Sequence, residues 1–266
     1  MKLPRRWPAL LCLTALVSWK VAPAAEVRVM ISAGFLAVYS ELGPEFERET
    51  GNRLITIRGP STGDSPEAIP TRLARGELAD VVILEGGSAD ELGKKGLVRT
   101  DSKVVLALAQ TGVVVRAGAP KPDISSVELF RQELLTARSI AYSDSGSGRF
   151  IVETLLPKLG IADQVMPKTR KVRGPPSGEP VAAVVARGES EIGFQDVSEL
   201  IHVPGITYVG PIPPELDRHS TYAAAVTTKA SEPAAAMALI KLLVSHEAES
   251  IILKEGLTLP VRGPAQ

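Results

Sequence analysis

Three times in the first hundred residues a short apolar run gives way to a polar loop and then to an amphipathic segment. That alternation constrains the fold more than any other feature. Residues 27–31 (Val-Arg-Val-Met-Ile) alternate in polarity and end at Ser32-Ala33-Gly34, as a strand leaving a sheet does. Phe35, Leu36, Tyr39, Leu42 and Phe46 then share one face of a helix that stops near Thr50 and Gly51. Residues 53–57 form a second strand ending in Arg58-Gly-Pro-Ser-Thr-Gly63, followed by a helix over 69–74. Residues 80–84 (Asp-Val-Val-Ile-Leu) carry the unbroken apolar run of a strand covered on both faces, and a helix follows over 88–95. Strand and helix in strict succession predict a parallel sheet with right-handed crossovers.

A second set repeats the pattern. Residues 106–116 form a long β-rich stretch, with another of similar character at 221–228. Between them the spacing predicts a helix over 127–135, a strand over 139–142 and a Ser/Gly loop over 143–148. A helix then follows with Phe150, Leu155, Leu156 and Leu159 on its apolar face. A rigid Pro-rich loop at 175–180 leads into a helix over 181–187, and strands follow at 191–195 and 207–210. The last segment, 233–253, reads as helix with Ile240, Leu243, Val244, Ile251 and Ile252 buried. These elements predict an α/β protein of two lobes, each a mostly parallel sheet flanked by helices, joined by two strand crossings. Residues 25–108 and 224–266 make lobe 1, and 109–223 lobe 2. Chains built this way hold a ligand between the lobes, where the carboxyl ends of the strands converge.

At the amino terminus, Lys2, Arg5 and Arg6 precede an apolar run over 9–19 and the small-x-small site Ala22-Pro23-Ala24, so residues 1–24 read as a cleaved export signal. The run is too short to span a bilayer. Cys12 lies within it and is the only cysteine, so the mature chain can form no disulfide and no thiolate-ligated metal site. A periplasmic protein stabilised by its core is expected, with no membrane insertion after cleavage. Lys and Arg number 30 and Asp and Glu 30, which offers no basic surplus for nucleic acid. His202, His219 and His246 are too widely spaced for a histidine-rich metal site. The Ser/Gly loop lacks the spacing of a nucleophile elbow and the third glycine of a dinucleotide fingerprint, which argues against a hydrolase or dehydrogenase. No metal and no cofactor are expected.

The loop Ser143-Asp-Ser-Gly-Ser-Gly148 delivers backbone N–H groups and hydroxyls to the start of a helix, where unpaired amides and the macrodipole favour negative charge. It reads as an anion cradle; a Gly-rich turn that binds nothing is the competing reading. Arg58, Arg149, Arg173 and Arg218 lie in or near the mouth loops, and guanidinium forks suit carboxylates. Solvated surface arginines are the alternative.

Five stretches, 32–36, 75–83, 143–160, 187–194 and 256–260, cover nearly the whole mature chain in order and resemble the type II periplasmic solute-binding proteins, in particular the molybdate-binding-protein-like branch. That resemblance implies a small anion gripped by hydroxyls and amides from four loops. Carried over by position, these are Ser32, Ala33, Gly34, Ser61, Thr62, Ser147, Gly148, Gln195 and Asp196, with Arg58, Arg149 and Arg173 added if the ligand is an organic carboxylate. Asp196 stands where the branch usually offers a tyrosine hydroxyl, and a carboxylate there repels a divalent oxyanion. The branch also includes a periplasmic aconitate isomerase, whose proton shift needs a base near the substrate carbon and cations for its carboxylates. Asp64, Asp144, Asp196 and His219 are conceivable bases, and the sequence does not choose among them. Two functions follow: a monomeric carrier that hands a small anion to an ABC importer's membrane subunits, or an isomerase on the same scaffold.

Overall fold

The computed structural model describes residues 24–218 and 220–261. The first lobe starts with β1 (Glu26–Ile31), α1 (Leu36–Thr50), β2 (Arg53–Arg58), α2 (Ile69–Ala74), β3 (Val81–Glu85), α3 (Gly86–Lys94) and β4 (Val104–Ala109). The chain then enters the second lobe: β5 (Thr111–Arg116), α4 (Val127–Thr136), β6 (Ile140–Ser143) and α5 (Gly146–Phe150). A π-helical turn (Ile151–Leu155) carries α5 into α6 (Leu156–Lys158), and α7 (Ala162–Val165), β7 (Thr169–Val172), α8 (Val181–Ala186), β8 (Ile192–Asp196), α9 (Val197–Leu200) and β9 (Ile206–Pro211) follow. It returns through β10 (Ser220–Val226), α10 (Pro233–Leu243) and α11 (His246–Lys254).

The strand orders are β2-β1-β3-β10-β4 and β7-β6-β8-β5-β9. In each sheet one strand opposes the rest, β10 in the first and β5 in the second. Those two are the strands through which the chain enters a lobe from the other one, so both reversals arise at the crossings. Side chains of alternate parity in β1 face opposite layers: Val27, Val29 and Ile31 pack with Phe35, Leu42 and Phe46 of the α1 side. Met30 joins Val82, Leu84, Ile69 and Leu92 on the other side. The second sheet is covered likewise, with Phe130 edge-on to Phe194 at 5.9 Å between ring centroids on one face and Val181 and Val185 on the other.

Several boundaries differ from the sequence reading for local reasons. The β-rich run at 106–116 is two strands, because β4 and β5 belong to different sheets and Gln110 lies between them. The C-terminal helix is also two: the Ser245 hydroxyl accepts the Ala248 N–H and caps a new helix. The break changes the phase of the buried face, so Leu239 and Ala248 are buried while Val244 and Ile251 are only partly so. Polar β7 and single-turn α9 have too little apolar periodicity to be predicted. The expected signal falls on residues 1–23 and the candidate base His219 at one position, and both lie outside the described residues. No helix among the described residues is long and apolar enough to cross a membrane.

Candidate functional site

The carboxyl ends of β1, β2, β3, β6, β7 and β8 open onto a single crevice between the sheets. It holds a narrow cavity of about 30 Å³. Ser32, Ala33 and Gly34 line it after β1, Gly59, Pro60 and Ser61 after β2, and Glu85 at the end of β3. From the second sheet come Ser143, Asp144 and Ser145, Gly174 and Pro175, Gln195 and Glu199; Tyr222 of β10 completes the wall. Placement of ligand groups on loops beyond parallel strands follows from the βα architecture, since every such loop emerges on the same side of its sheet.

Local bonding makes the walls rigid. Asp144 accepts the Gly174 N–H at 3.0 Å, tying the loop after β6 to the one after β7. Ser61 Oγ accepts the Glu85 N–H at 3.1 Å. The hydroxyls of Ser143, Ser145 and Ser147 form a closed triangle with sides of 2.7, 3.0 and 3.1 Å. Ser32 Oγ is buried with no partner among the described residues. Gly34 and Gly148 are obligatory on steric grounds: a Cβ on Gly34 would strike the Tyr222 ring and hydroxyl, and one on Gly148 the Ser143 carbonyl oxygen.

Behind the hydroxyl lining sits a buried charge cluster. Arg218 Nη2 donates to Glu85 Oε1 at 3.1 Å and to Asp196 Oδ1 at 3.2 Å, and the Tyr222 hydroxyl donates to Asp196 Oδ2 at 2.8 Å. Gln195 is held by its Oε1, which accepts the Val181 N–H at 3.1 Å, and donates through Nε2 to Glu199 Oε2 at 2.6 Å. Burial, and then the neighbouring Asp196 and Glu85 charges, push the Glu199 carboxyl up to about 8. Burial also raises Glu85, although the Arg218 guanidinium pulls the other way. Burial and the Asp196 charge hold the Tyr222 hydroxyl well above its usual range. Burial would lower Arg218, but Asp196 and Glu85 outweigh it and its charge is secure. The cavity therefore presents Glu199, a carboxyl raised to about 8, beside Glu85 and Asp196, which share one arginine. The cluster can exchange a proton with a bound molecule.

The crevice continues into two grooves. One, reached past Glu85, is lined by Thr62, Gly63, Ser88, Glu91, Lys95 and Arg149 among others. The second, reached past Glu199, includes Arg58, Pro180, Ser198 and His202. Contacts across the crevice hold the lobes together: Ser198 Oγ donates to the Gly34 carbonyl at 2.8 Å, Arg173 pairs with Glu67 at 3.6 Å, and His202 with Glu255 at 2.7 Å.

Of the residues singled out from the sequence, Ser32, Ala33, Gly34, Ser61 and Gln195 line the central cavity. Ser147 and Gly148 are buried just behind it, and Asp196 is buried against Arg218 and Tyr222. Thr62 and Arg149 face one groove and Arg58 the other; Arg173 is exposed and engaged by Glu67. Among the conceivable bases, Asp144 lines the cavity and Asp64 is exposed. Glu85, Glu199 and Tyr222 escaped the sequence reading. Glu85 ends a predicted strand, and that position was a usable signal. Glu199 sits four residues after Gln195, on a turn too short to be recognised.

Two α/β lobes joined by two strand crossings, with loops from both sheets closing on one polar cavity, define a two-lobed binding protein of the periplasmic kind. The model of the bacterial extracellular solute-binding protein family matches residues 27–258, and the chain belongs to that family. It is 43% identical over 244 residues to an aconitate isomerase of Pseudomonas sp, covering 92% of this chain and 90% of that protein. It is 26% identical over 238 residues to the molybdate-binding protein of Azotobacter vinelandii, covering 88% and 90%. Among solved structures, the periplasmic molybdate-binding protein of Azotobacter vinelandii superimposes with a TM-score of 0.70 at 20% identity, covering 88% of this chain and 99% of that one. The sulfate-binding protein of Mycobacterium tuberculosis gives 0.68 at 18% identity, covering 88% and 86%.

Proposed function

We propose that this chain is an isomerase built on a solute-binding scaffold, moving a proton along an allylic tricarboxylate of the aconitate type. The observation that carries this reading is Glu199, a carboxyl raised to about 8 that opens onto the cavity beside Glu85 and Asp196. A group titrating near neutral pH can both take and return a proton, which is what an allylic shift demands. The step is redox-neutral. The base form of the carboxyl removes a proton from the methylene carbon, and the electron pair spreads over the allylic system into the adjoining carboxylate. A proton then returns to the former vinyl carbon, moving the double bond by one position. Ser32 and Ser145 line the same cavity as Glu199, and hydroxyl donors placed in advance near developing negative charge lower the barrier. The 43% identical aconitate isomerase supports the same reading. No cofactor is called for.

A second reading has its own support: the hydroxyl lining at Ser32, Ser61, Ser143 and Ser145 and the molybdate-binding relative favour a carrier that captures a small oxyanion for an ABC importer. Against it stands Glu199, whose raised carboxyl a passive oxyanion carrier has no use for. Either function fits a periplasmic protein of two lobes divided between β4 and β5 and between β9 and β10. One experiment separates them. Purified mature protein is incubated with trans-aconitate in D₂O and followed by NMR for cis-aconitate and carbon-bound deuterium, in parallel with calorimetric titration of molybdate. Turnover with deuterium incorporation supports the isomerase. Tight molybdate binding without turnover overturns it.

A further inference from the structure

The groove beside α3 has features that proton transfer at Glu199 does not use. It offers about 430 Å³ of accessible space and shares Glu85 with the central cavity, which places the two sites side by side. Its own carboxylates are engaged, Glu91 by Lys94 at 2.7 Å and Glu85 by Arg218 at 3.1 Å. Its cations are held less firmly: neither the Lys95 nor the Arg149 side chain has an ion pair or hydrogen bond among the described residues, although the Arg149 charge lies near enough to Glu85 to act on its carboxyl. Lys95 follows α3 in the first lobe, and Arg149 lies on α5 in the second. Thr62 lines the same groove, and its Oγ1 is buried with no partner among the described residues. Buried polar atoms are almost always satisfied, so an unsatisfied hydroxyl just inside the wall of a groove that carries two cations without side-chain acceptors points to a missing acceptor.

We propose that this groove is a carboxylate subsite. A polycarboxylate whose reacting carbons occupy the central cavity would place one terminal carboxylate here, held by Lys95 and Arg149 and accepting a hydrogen bond from Thr62. The proposal rests on the isomerase reading and deepens it, because it states what selects a tricarboxylate over a dicarboxylate. One cation comes from each lobe, so a bound carboxylate also draws the lobes together. The buried carboxyl cluster would repel a polyanion, and the groove offers compensating charge without adding cations at the proton-transfer site.

The test uses the mature full-length chain and two saturated probes that cannot be isomerised. Tricarballylate has the aconitate skeleton, and methylsuccinate replaces one terminal carboxymethyl group with a methyl. In calorimetric titrations the double variant Lys95→Gln/Arg149→Gln should bind tricarballylate at least tenfold more weakly than wild type and methylsuccinate equally well. Lys95→Arg should retain most of the tricarballylate affinity. Both altered side chains are exposed, and circular dichroism checks folding. Equal loss for both probes, no loss for either, or no tricarballylate binding by wild type overturns the subsite. Failure of the isomerase reading shows differently: wild type leaves trans-aconitate unchanged while the selective loss of tricarballylate persists.

Discussion

Glu199→Gln removes the titrating group while keeping size and hydrogen-bonding capacity, and its effects on stability and activity should have opposite signs. The carboxyl sits at about 8 in the folded chain against 4.5 ordinarily. Below pH 4.5 both states hold the proton, and Glu199 contributes no pH dependence. Above it the unfolded chain releases the proton and the folded chain does not, so stability falls as pH rises, until the folded carboxyl itself ionises near 8. At about 1.4 kcal/mol per pH unit, wild type forgoes about 3 kcal/mol at pH 7 and under about 1 kcal/mol at pH 5. Glutamine, which never ionises, should recover most of that. Urea denaturation at the two pH values should therefore show the variant more stable than wild type by about 2–3 kcal/mol at pH 7 and nearly equal to it at pH 5. In the same preparation aconitate turnover should fall at least about a hundredfold, the usual contribution of a positioned acid–base group. A stability difference independent of pH would refute the raised pKa of Glu199, and undiminished turnover would refute its proposed role as the proton carrier.

Arg218→Met leaves Glu85 and Asp196 buried without their shared cation and should cost roughly 3–5 kcal/mol at pH 7 by chemical denaturation, with a smaller loss at acid pH where the carboxyls protonate. Gly148→Ala drives a methyl into the Ser143 carbonyl oxygen, which cannot yield as a flexible side chain would; a loss of about 1–3 kcal/mol is expected, together with weakened tricarballylate binding. Asp80, buried in the first lobe, accepts the N–H groups of Arg28 at 2.8 Å, Ser231 at 2.7 Å and Glu232 at 2.9 Å, and the Ser231 hydroxyl at 3.0 Å. Asp80→Ala orphans these donors and should cost about 3 kcal/mol in urea denaturation with no change in the pH profile of turnover.

The alternation of short apolar runs and amphipathic helices determined most of the architecture without help from tertiary contacts. Val27, Val29 and Ile31 must face one layer and Met30 the other, because a strand has a period of two. The continuous run from Val81 to Leu84 requires cover on both sides. The loops after β1, β2, β6 and β8 follow from the same periodicity, but it was the family resemblance, and not the pattern, that singled out Ser32, Ser61 and Gln195 within them. The chemistry of the crevice followed from neither. Glu85 and Arg218 are separated by 133 residues, and Tyr222 and Asp196 come from different sheets. Glu199 is an ordinary carboxyl in the chain, and its pKa rises only when the fold buries it and sets Asp196 and Glu85 beside it. Periodicity is a property of neighbours along the chain, whereas a shifted pKa is a property of neighbours in space.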